Sequence, residues 1–410
     1  MLRRIIALFI AALCLLSAGM AESPDTSANA CRDITEECKI AVSATHNSTA
    51  YLQDRNRKSS MTAYGVKDFI VTVTPGETPV AGVYIEFGSD CLPYRVEVKN
   101  ASGEWECIAV QENSTYPQSY LQFPAQTDAF RMVFYQEKRE KQLALRELFL
   151  LSEGELSSDY NHDWQPAVEK ADLLLLTAHP DDEVLWFGGT LPYYAGELGA
   201  KVQSVCMTSY EHFRTLELLN SLWHCGVRNY PVVADFTDKQ APVMRKSYSD
   251  WGGEEKVVKY LVRILRQFRP EVVVTHDVKG EYGHTQHMVC ADALPKAVQL
   301  ANDPAYDPQS VTQYGAWQVK KLYVHLGEAP TTYMNWRQPL TAFGGKTGFE
   351  IAEEAFLRHV SQLVFTSFKV APEGSDYDSF AYTLVHSTVG EDTVGGDFFE
   401  NIPRECLSIH

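Results

Sequence analysis

The sequence predicts two domains of different class: an all-β sandwich over residues 46–153, then an α/β domain over 166–410 with a mostly parallel sheet and helices on both faces. Three observations predict this. At 410 residues the chain exceeds one ordinary hydrophobic core. Short β-type runs separated by turn residues fill the stretch before residue 154. From residue 173 onward strand and helix patterns alternate, the order that gives a parallel sheet with right-handed crossovers.

Composition narrows the class further. Hydrophobic content of 45% with 22% charged residues describes a folded chain rather than a disordered one. Arg3-Arg4, an apolar stretch from Ile5 to Leu16 and small residues up to Ala21 read as a secretory signal over residues 1–21. The apolar stretch is short for a membrane span. The expected location is therefore secreted, extracellular or in the cell envelope. Cleavage removes two arginines and no acids, so the net charge moves from −17 to −17 − 2 = −19. An acidic surface argues against nucleic acid and anionic membranes as partners, and no later run is long enough to give the mature chain a transmembrane segment. Residues 22–45 are polar and read as linker. Eight cysteines remain in the mature chain, too few for a disulfide framework. Cys31 with Cys38 and Cys91 with Cys107 are the pairs spaced to bridge, whereas Cys206, Cys225 and Cys290 fall in apolar patterns as buried thiols.

In the first domain the β-type runs are 69–74, 80–87, 94–98, 105–110, 129–135 and 145–151. Their order, closing on Leu-Phe-Leu-Leu-Ser-Glu-Gly154, resembles the discoidin-like, galactose-binding-like jelly rolls attached to carbohydrate-active proteins. That resemblance implies a carbohydrate ligand for the sandwich. In the second domain, strands are expected at 173–177, 202–207, 230–234, 272–275, 317–326 and 380–385. Helices are expected behind the first strand up to Gly199, then at 213–225, 254–268, 284–300 and 349–365.

The chemistry concentrates at two strand ends. Leu173-Leu-Leu-Leu-Thr177 is an apolar run fit for a buried parallel strand, and it stops at His179-Pro180-Asp181-Asp182-Glu183. The run 272–275 leads into His276-Asp277, a glycine-bearing loop and His284-Thr-Gln-His287. Both segments follow parallel strands, so they share the sheet edge where ligands bind in open α/β folds. His284 and His287, three apart at a helix start, lie on one face. Two histidines and a carboxylate with an open position form a catalytic zinc set, since structural sites are closed and thiolate-rich. Gly344-Gly345-Lys346-Thr347 lacks the earlier glycine of a P-loop, and no dinucleotide or nucleophile-elbow motif occurs.

Ala178-His-Pro-Asp-Asp-Glu183 followed by Gly283-His-x-x-His287 resembles the PIG-L/LmbE family of zinc-dependent N-acetylglucosaminyl deacetylases. Arg214-x-x-Glu217, Gly226-Val227 and His359-x-Ser361-Gln362 support the likeness, which covers roughly residues 170–370. It implies a Rossmann-like fold, with Zn2+ or another divalent metal held by His179, Asp182 and His287. It also implies Asp181 as general base, His284 and Tyr282 as stabilisers of the oxyanion or leaving amine, and Arg214 as a substrate contact. The implied substrate is an N-acetylated amino sugar or glycan. One departure is Thr285-Gln286, where the family often has Pro-Asp; the missing carboxylate is expected to leave His284 less strongly held in its protonated form. Glu183 reads as a support for the ligands, His276 as a strand-end residue facing solvent or a cleft, and Arg214 with Glu217 alternatively as a surface pair. Two further readings stand beside the deacetylase: a carbohydrate-binding surface protein whose hydrolase domain is inactive, and an amidase acting on a non-glycan acetamide.

Overall fold

Nine strands build the first domain. They are β1 (Lys39–Val42), β2 (Met61–Ala63), β3 (Asp68–Thr74), β4 (Val80–Phe87), β5 (Tyr94–Lys99), β6 (Trp105–Gln111), β7 (Gln118–Gln126), β8 (Phe130–Tyr135) and β9 (Leu143–Leu151). This computed structural model describes residues 30–409 apart from 65–67, 89–90, 113, 115, 136–142 and 209–210. The strands pair antiparallel in two sheets, ordered β1-β3-β8-β5-β6 and β2-β9-β4-β7. Successive side chains point to opposite faces, so Phe69, Val71 and Val73 of one sheet meet Val83, Ile85 and Phe87 of the other in a single core.

The expected linker 22–45 turns out differently where it is described. Ile34 and Cys38 lie in that core, and β1 pairs with β3. The four residues of β1 sit among polar neighbours and carry too little periodicity to announce a strand. Neither of the spaced pairs bridges, since Cys31, Cys38 and Cys107 are free thiols. The signal segment 1–21 lies outside the described residues.

The second domain holds a seven-stranded mixed sheet. Its strands are β10 (Leu173–Thr177), β11 (Val202–Thr208), β12 (Val232–Phe236), β13 (Val272–Thr275), β14 (Lys321–His325), β15 (Thr332–Tyr333) and β16 (Ala381–Ser387), ordered β12-β11-β10-β13-β14-β16-β15. The first five run parallel, β16 runs antiparallel to β14, and β15 runs antiparallel to β16. Strand β10 is buried on both faces: Leu173 and Leu175 join one apolar cluster, Leu174 and Leu176 the other. Helices His212–His224 and Gly348–Phe356 cover the first face, and Glu254–Phe268 and Thr285–Ala301 the second. The amphipathic stripe at 254–268 thus gives a helix of the expected span.

Two expected helices are shorter than their apolar spacing suggests. Behind β10 only Asp182–Leu185 is α-helical, and Pro192–Glu197 forms a separate wider turn. Between them Gly188 takes φ +49°, and a Cβ on Gly189 would meet the Trp336 ring at 2.9 Å, so backbone rather than side chain packs there. The helix expected over 349–365 ends at Phe356, and 357–362 turns back toward the sheet edge. Among the described residues no helix is long and apolar enough to cross a membrane.

The outer face of the β2-β9-β4-β7 sheet packs on the second domain, which is why all eight residues of β4 are buried. Tyr84 and Glu86 of β4 point that way, opposite Phe149 and Glu147 of β9. Arg57 makes a bidentate pair with Glu86, and Asn220 of the second domain reaches the same carboxylate at 3.4 Å. Glu147 has only Arg55, at 3.2 Å, and Arg55 also binds Asp33 at 2.6 Å. Burial pushes the Glu147 carboxyl up to about 7, against the pull of Arg55. A carboxyl whose pKa is raised by folding stabilises the fold below its unfolded value and loses that contribution as pH rises through the folded one. The loss amounts to about 3 kcal/mol between pH 4 and pH 8. Glu147→Gln removes it, so the variant's melting temperature is expected to exceed wild type at pH 8 and converge with it at pH 5. Parallel melting curves at both pH values would contradict the assignment.

Candidate active site

Strands β10 and β13 are parallel neighbours, with Leu175 beside Val274, so their carboxyl ends open on the same edge. After Thr177 the chain turns sharply. Asp181 adopts φ +111°, a conformation L-residues disfavour, and its N–H donates to Glu183 Oε2 at 2.8 Å. Glu183 also accepts from Ser221 Oγ at 2.6 Å and His359 Nε2 at 2.7 Å, which pins the turn from behind. The Asp181 side chain caps no helix. It faces Arg214 instead, whose NH2 lies 3.1 Å from Asp181 Oδ2.

The residues expected to hold a metal come together. His179 Nδ1 lies 3.1 Å from His287 Nε2 and 3.2 Å from Asp182 Oδ2, and His287 Nε2 lies 3.3 Å from Asp182 Oδ1. The other ring nitrogens are already committed. His179 Nε2 donates to Gln286 Oε1 at 2.7 Å; the Gln286 amide is oriented by its own Nε2 donating to the Thr237 carbonyl at 2.7 Å. His287 Nδ1 donates to Glu281 Oε2 at 2.7 Å. Two bare imidazole lone pairs therefore face each other beside a carboxylate. Neither can donate to the other, so the pair fits a cation between them; their 3.1 Å edge suits ligand bonds of about 2 Å in tetrahedral geometry, and Asp182 turns a different oxygen to each ring. Burial opposes the Asp182 charge, but His287, His276 and His179 hold it well below the ordinary carboxylate range.

His284 forms a second triple with His179 and His287, and His276 another with Asp182 and His287. Hydrogen bonding separates them from the first set. His284 Nδ1 has no partner to orient the ring, unlike His179 and His287. Burial and the neighbouring His179 and His287 push His284 down to about 2, which leaves a neutral imidazole able to donate one N–H. His276 is fully buried rather than facing solvent or a cleft; its Nε2 accepts from Ala178 N–H at 2.9 Å and its Nδ1 donates to Glu281 at 2.8 Å.

The recess beside this cluster measures about 100 Å³ and is lined by Asp181, Arg214, Tyr282, His284, Gln362 and Phe368 among others. Burial pushes Asp181 up to about 7, Arg214 pulls it down, and Asp182 adds to the rise. Arg214 binds Asp181 and Asp238, each at 3.1 Å, and also the Pro180 carbonyl. The surface pair with Glu217 is not formed, because Glu217 accepts from Ser361 N and Oγ at 2.8 and 2.6 Å. Tyr282 stands at the rim, 42% exposed, and burial of its hydroxyl end pushes its pKa up, so it remains a donor.

The Thr285-Gln286 departure acts on a different residue from the one expected. Gln286 binds the ligand His179, not His284, and Thr285 Oγ1 is tied to Ser247 Oγ at 2.7 Å. Two supports went unnoticed in the sequence, Glu281 and Asp238, and the role of Gln286 was not read. Glu281 is fully buried and accepts from His276, His287 and His325, the last at 2.6 Å. Its signal was available in Gly280-Glu281: a Cβ on Gly280 would sit 2.4 Å from the His284 carbonyl oxygen, so glycine lets the loop fold the glutamate inward.

Residues 174–298 match the family described as PIG-L, GlcNAc-PI de-N-acetylase. The 1D-myo-inositol 2-acetamido-2-deoxy-alpha-D-glucopyranoside deacetylase 1 of Catenulispora acidiphila is 32% identical over 180 residues, which cover 37% of this chain and 54% of that protein. The corresponding deacetylase 2 of Saccharopolyspora erythraea is 34% identical over 182 residues, covering 37% and 63%. The chain thus spans between half and two thirds of these relatives. Among solved structures, the N,N'-diacetylchitobiose deacetylase of Pyrococcus horikoshii aligns at 22% identity with a TM-score of 0.37, over 49% of this chain and 74% of that one. Motif and cluster geometry agree with this match, which places the likeness to the PIG-L family in residues 174–298.

Proposed function

We propose that this protein is a metal-dependent hydrolase that removes the acetyl group from an N-acetylglucosamine-type sugar or glycoconjugate. The observation that carries the reading is the pair of lone pairs on His179 Nδ1 and His287 Nε2, facing each other at 3.1 Å beside Asp182. His179, Asp182 and His287 would hold the ion, which when bound supplies an acidified water and a Lewis acid for the acetamide carbonyl. Zinc suits the imidazole and carboxylate donors, and other divalent ions suit them too.

The chain's own residues supply the rest of the chemistry. Asp181 stands next to a ligand but points into the recess, where it takes the proton of the attacking water. Arg214 fixes that carboxylate, and Glu183 holds the strained turn beneath it. The tetrahedral oxyanion meets the N–H of neutral His284 and the Tyr282 hydroxyl. Asp181 then returns its proton to the departing nitrogen, which leaves an amino sugar and acetate. Export through the signal at 1–21 and a discoidin-like jelly roll for the first domain belong to the same reading, as does a Rossmann-like assignment of the mixed sheet.

The direct test is acetate release from N-acetylglucosamine conjugates by the metal-loaded full chain; metal bound without acetate release would refute the reading. Asp181→Asn is expected to retain metal by elemental analysis while turnover falls about 10²–10⁴-fold. His287→Ala is expected to lose the metal itself. Gln286→Leu removes the acceptor that orients His179 and should weaken metal affinity about 10–100-fold in competition with a chelator. An unchanged affinity would show that Gln286 does not support the ligand.

A further inference from the structure

Beside the metal recess lies a second pocket of about 420 Å³, and the two share Tyr282 and Phe368 in their walls. Small-molecule sites usually measure about 300–1,000 Å³. The pocket falls in that range, whereas the recess, at about 100 Å³, has room for an acetamide but not for a sugar ring beside it. A substrate whose acetamide reaches the metal cluster therefore keeps the rest of its mass outside the recess. The pocket adjoins the recess across Tyr282 and Phe368.

Four rings line the pocket in a bent row. Tyr377 meets Trp186 edge-on at 5.6 Å, Trp186 lies 5.7 Å from Tyr282, and Tyr282 lies 5.9 Å from Phe368. Three of these rings keep surface that a ligand can reach: Tyr282 is exposed, and Phe368 and Tyr377 are half-buried. Trp186 is buried and forms the fixed end, its indole N–H bound to Asp182 Oδ1 at 2.9 Å. The outer wall is ordered by its own hydrogen bonds. Ala371 N–H donates to the Leu185 carbonyl at 2.9 Å, Gly374 N–H to Asp378 Oδ2 at 2.8 Å, and Ser375 Oγ to the Pro372 carbonyl at 2.7 Å. Tyr282 takes φ +46°, a conformation L-residues disfavour, and its side chain stands in the walls of both cavities. Ser367, Lys369 and Asp376 are exposed at the edge. Apolar faces inside a polar rim with one basic and one acidic group suit a pyranose, whose C–H face covers rings while its hydroxyls reach the rim. An alkyl tail gains nothing from that rim, and an anion meets as much negative as positive charge.

We propose that this pocket is a saccharide subsite, so that the preferred substrate is an N-acetylglucosamine residue joined to a further uncharged sugar rather than the free monosaccharide. The inference rests on the deacetylase reading for the group that enters the recess. The wall at 367–377 lies outside residues 174–298, the segment that matches the PIG-L family, so the selectivity comes from residues the family match does not span. Tyr377 is the specificity-determining residue: it lines the pocket and not the recess, and it takes no part in the chemistry.

The test compares acetate release by the metal-loaded full chain from free N-acetylglucosamine, its β-1,4-linked dimer and its octyl β-glycoside. The dimer's kcat/KM is expected to exceed that of the monosaccharide about 10-fold or more, chiefly through KM. Tyr377→Leu, which keeps apolar bulk but loses the flat ring, should bring that ratio close to one, and Tyr377→Phe should restore it. A fall on both substrates with the ratio kept would mark a structural effect passed through Trp186 to Asp182, and would overturn the assignment. Equal efficiency on monosaccharide and dimer overturns it too, as does an advantage held by the octyl glycoside instead. Calorimetric titration of the monosaccharide and the dimer into the Asp181→Asn chain measures the same preference without turnover. If no acetate is released but the dimer binds more tightly and Tyr377→Leu abolishes the difference, the deacetylase reading falls and the subsite stands. If no Tyr377-dependent difference in binding is found, the subsite falls whether or not acetate is released.

Discussion

Two imidazoles that turn bare lone pairs toward each other across 3.1 Å set the constraint from which the catalytic edge follows. Such a pair repels unless something positive lies between, and it persists only if each ring is prevented from rotating or changing tautomer. Glu281 does this for His287 and Gln286 does it for His179. Glu281 also accepts from His276 and His325, so a single buried carboxylate orders imidazoles from β13, β14 and the helix that begins at Thr285. Those three imidazoles hold it well below the ordinary carboxylate range against a strong burial penalty. A buried charge of that kind is tolerable only when all its lone pairs are used, and here they are.

The same logic extends to the neighbouring acids, which differ by environment rather than by type. Asp182 receives the His179 N–H at 2.7 Å and the Trp186 indole N–H at 2.9 Å, and stays ionised among imidazoles. Asp181, one residue earlier, has burial and Asp182 raising its pKa and one arginine lowering it. Adjacent carboxylates pushed in opposite directions by their surroundings are suited to different tasks, one charged and one able to carry a proton near neutrality. The strained φ of Asp181 is what aims the second away from the first.

Strand β10, the meeting of His179, Asp182 and His287 at one sheet edge and the alternation of strand and helix were legible in the sequence because each rests on local pattern: apolar runs, periodicity and spacing at strand ends. What escaped reading depends on partners distant in the chain. Gln286 looked like a lost acid near His284, but the helix turns it toward His179, 107 residues earlier. His276 looked like a cleft residue because a strand end usually is one, yet Phe187 and the Glu281 loop close over it. Strand β1 was missed because its burial is half-hearted, and its pairing with β3 supplies what its own pattern lacks. The helix behind β10 was overestimated because its apolar spacing continues through Gly188 and Gly189, where close packing on Trp336 decides the backbone.

The helix His212–His224 joins these local arguments into one. It places Arg214 against Asp181, Glu217 against Ser361, Asn220 against Glu86 and Ser221 against Glu183, polar contacts along a largely buried helix. Six residues of helix rise about 9 Å, so the metal recess and the domain seam stand at the two ends of a short rigid strut. The segment 357–362 runs alongside it, with Val360 in the seam wall and Gln362 in the recess wall. Glu217 and Ser361 close the space between the seam and the recess. Because Glu217 is buried and accepts two bonds from Ser361, the wall does not part without leaving a carboxylate unsatisfied, a loss of about 1.5–3 kcal/mol per bond to a charged group. The domains are therefore joined through the same helix that sets Arg214 against Asp181, with Asn220 at the seam end and Arg214 at the recess end.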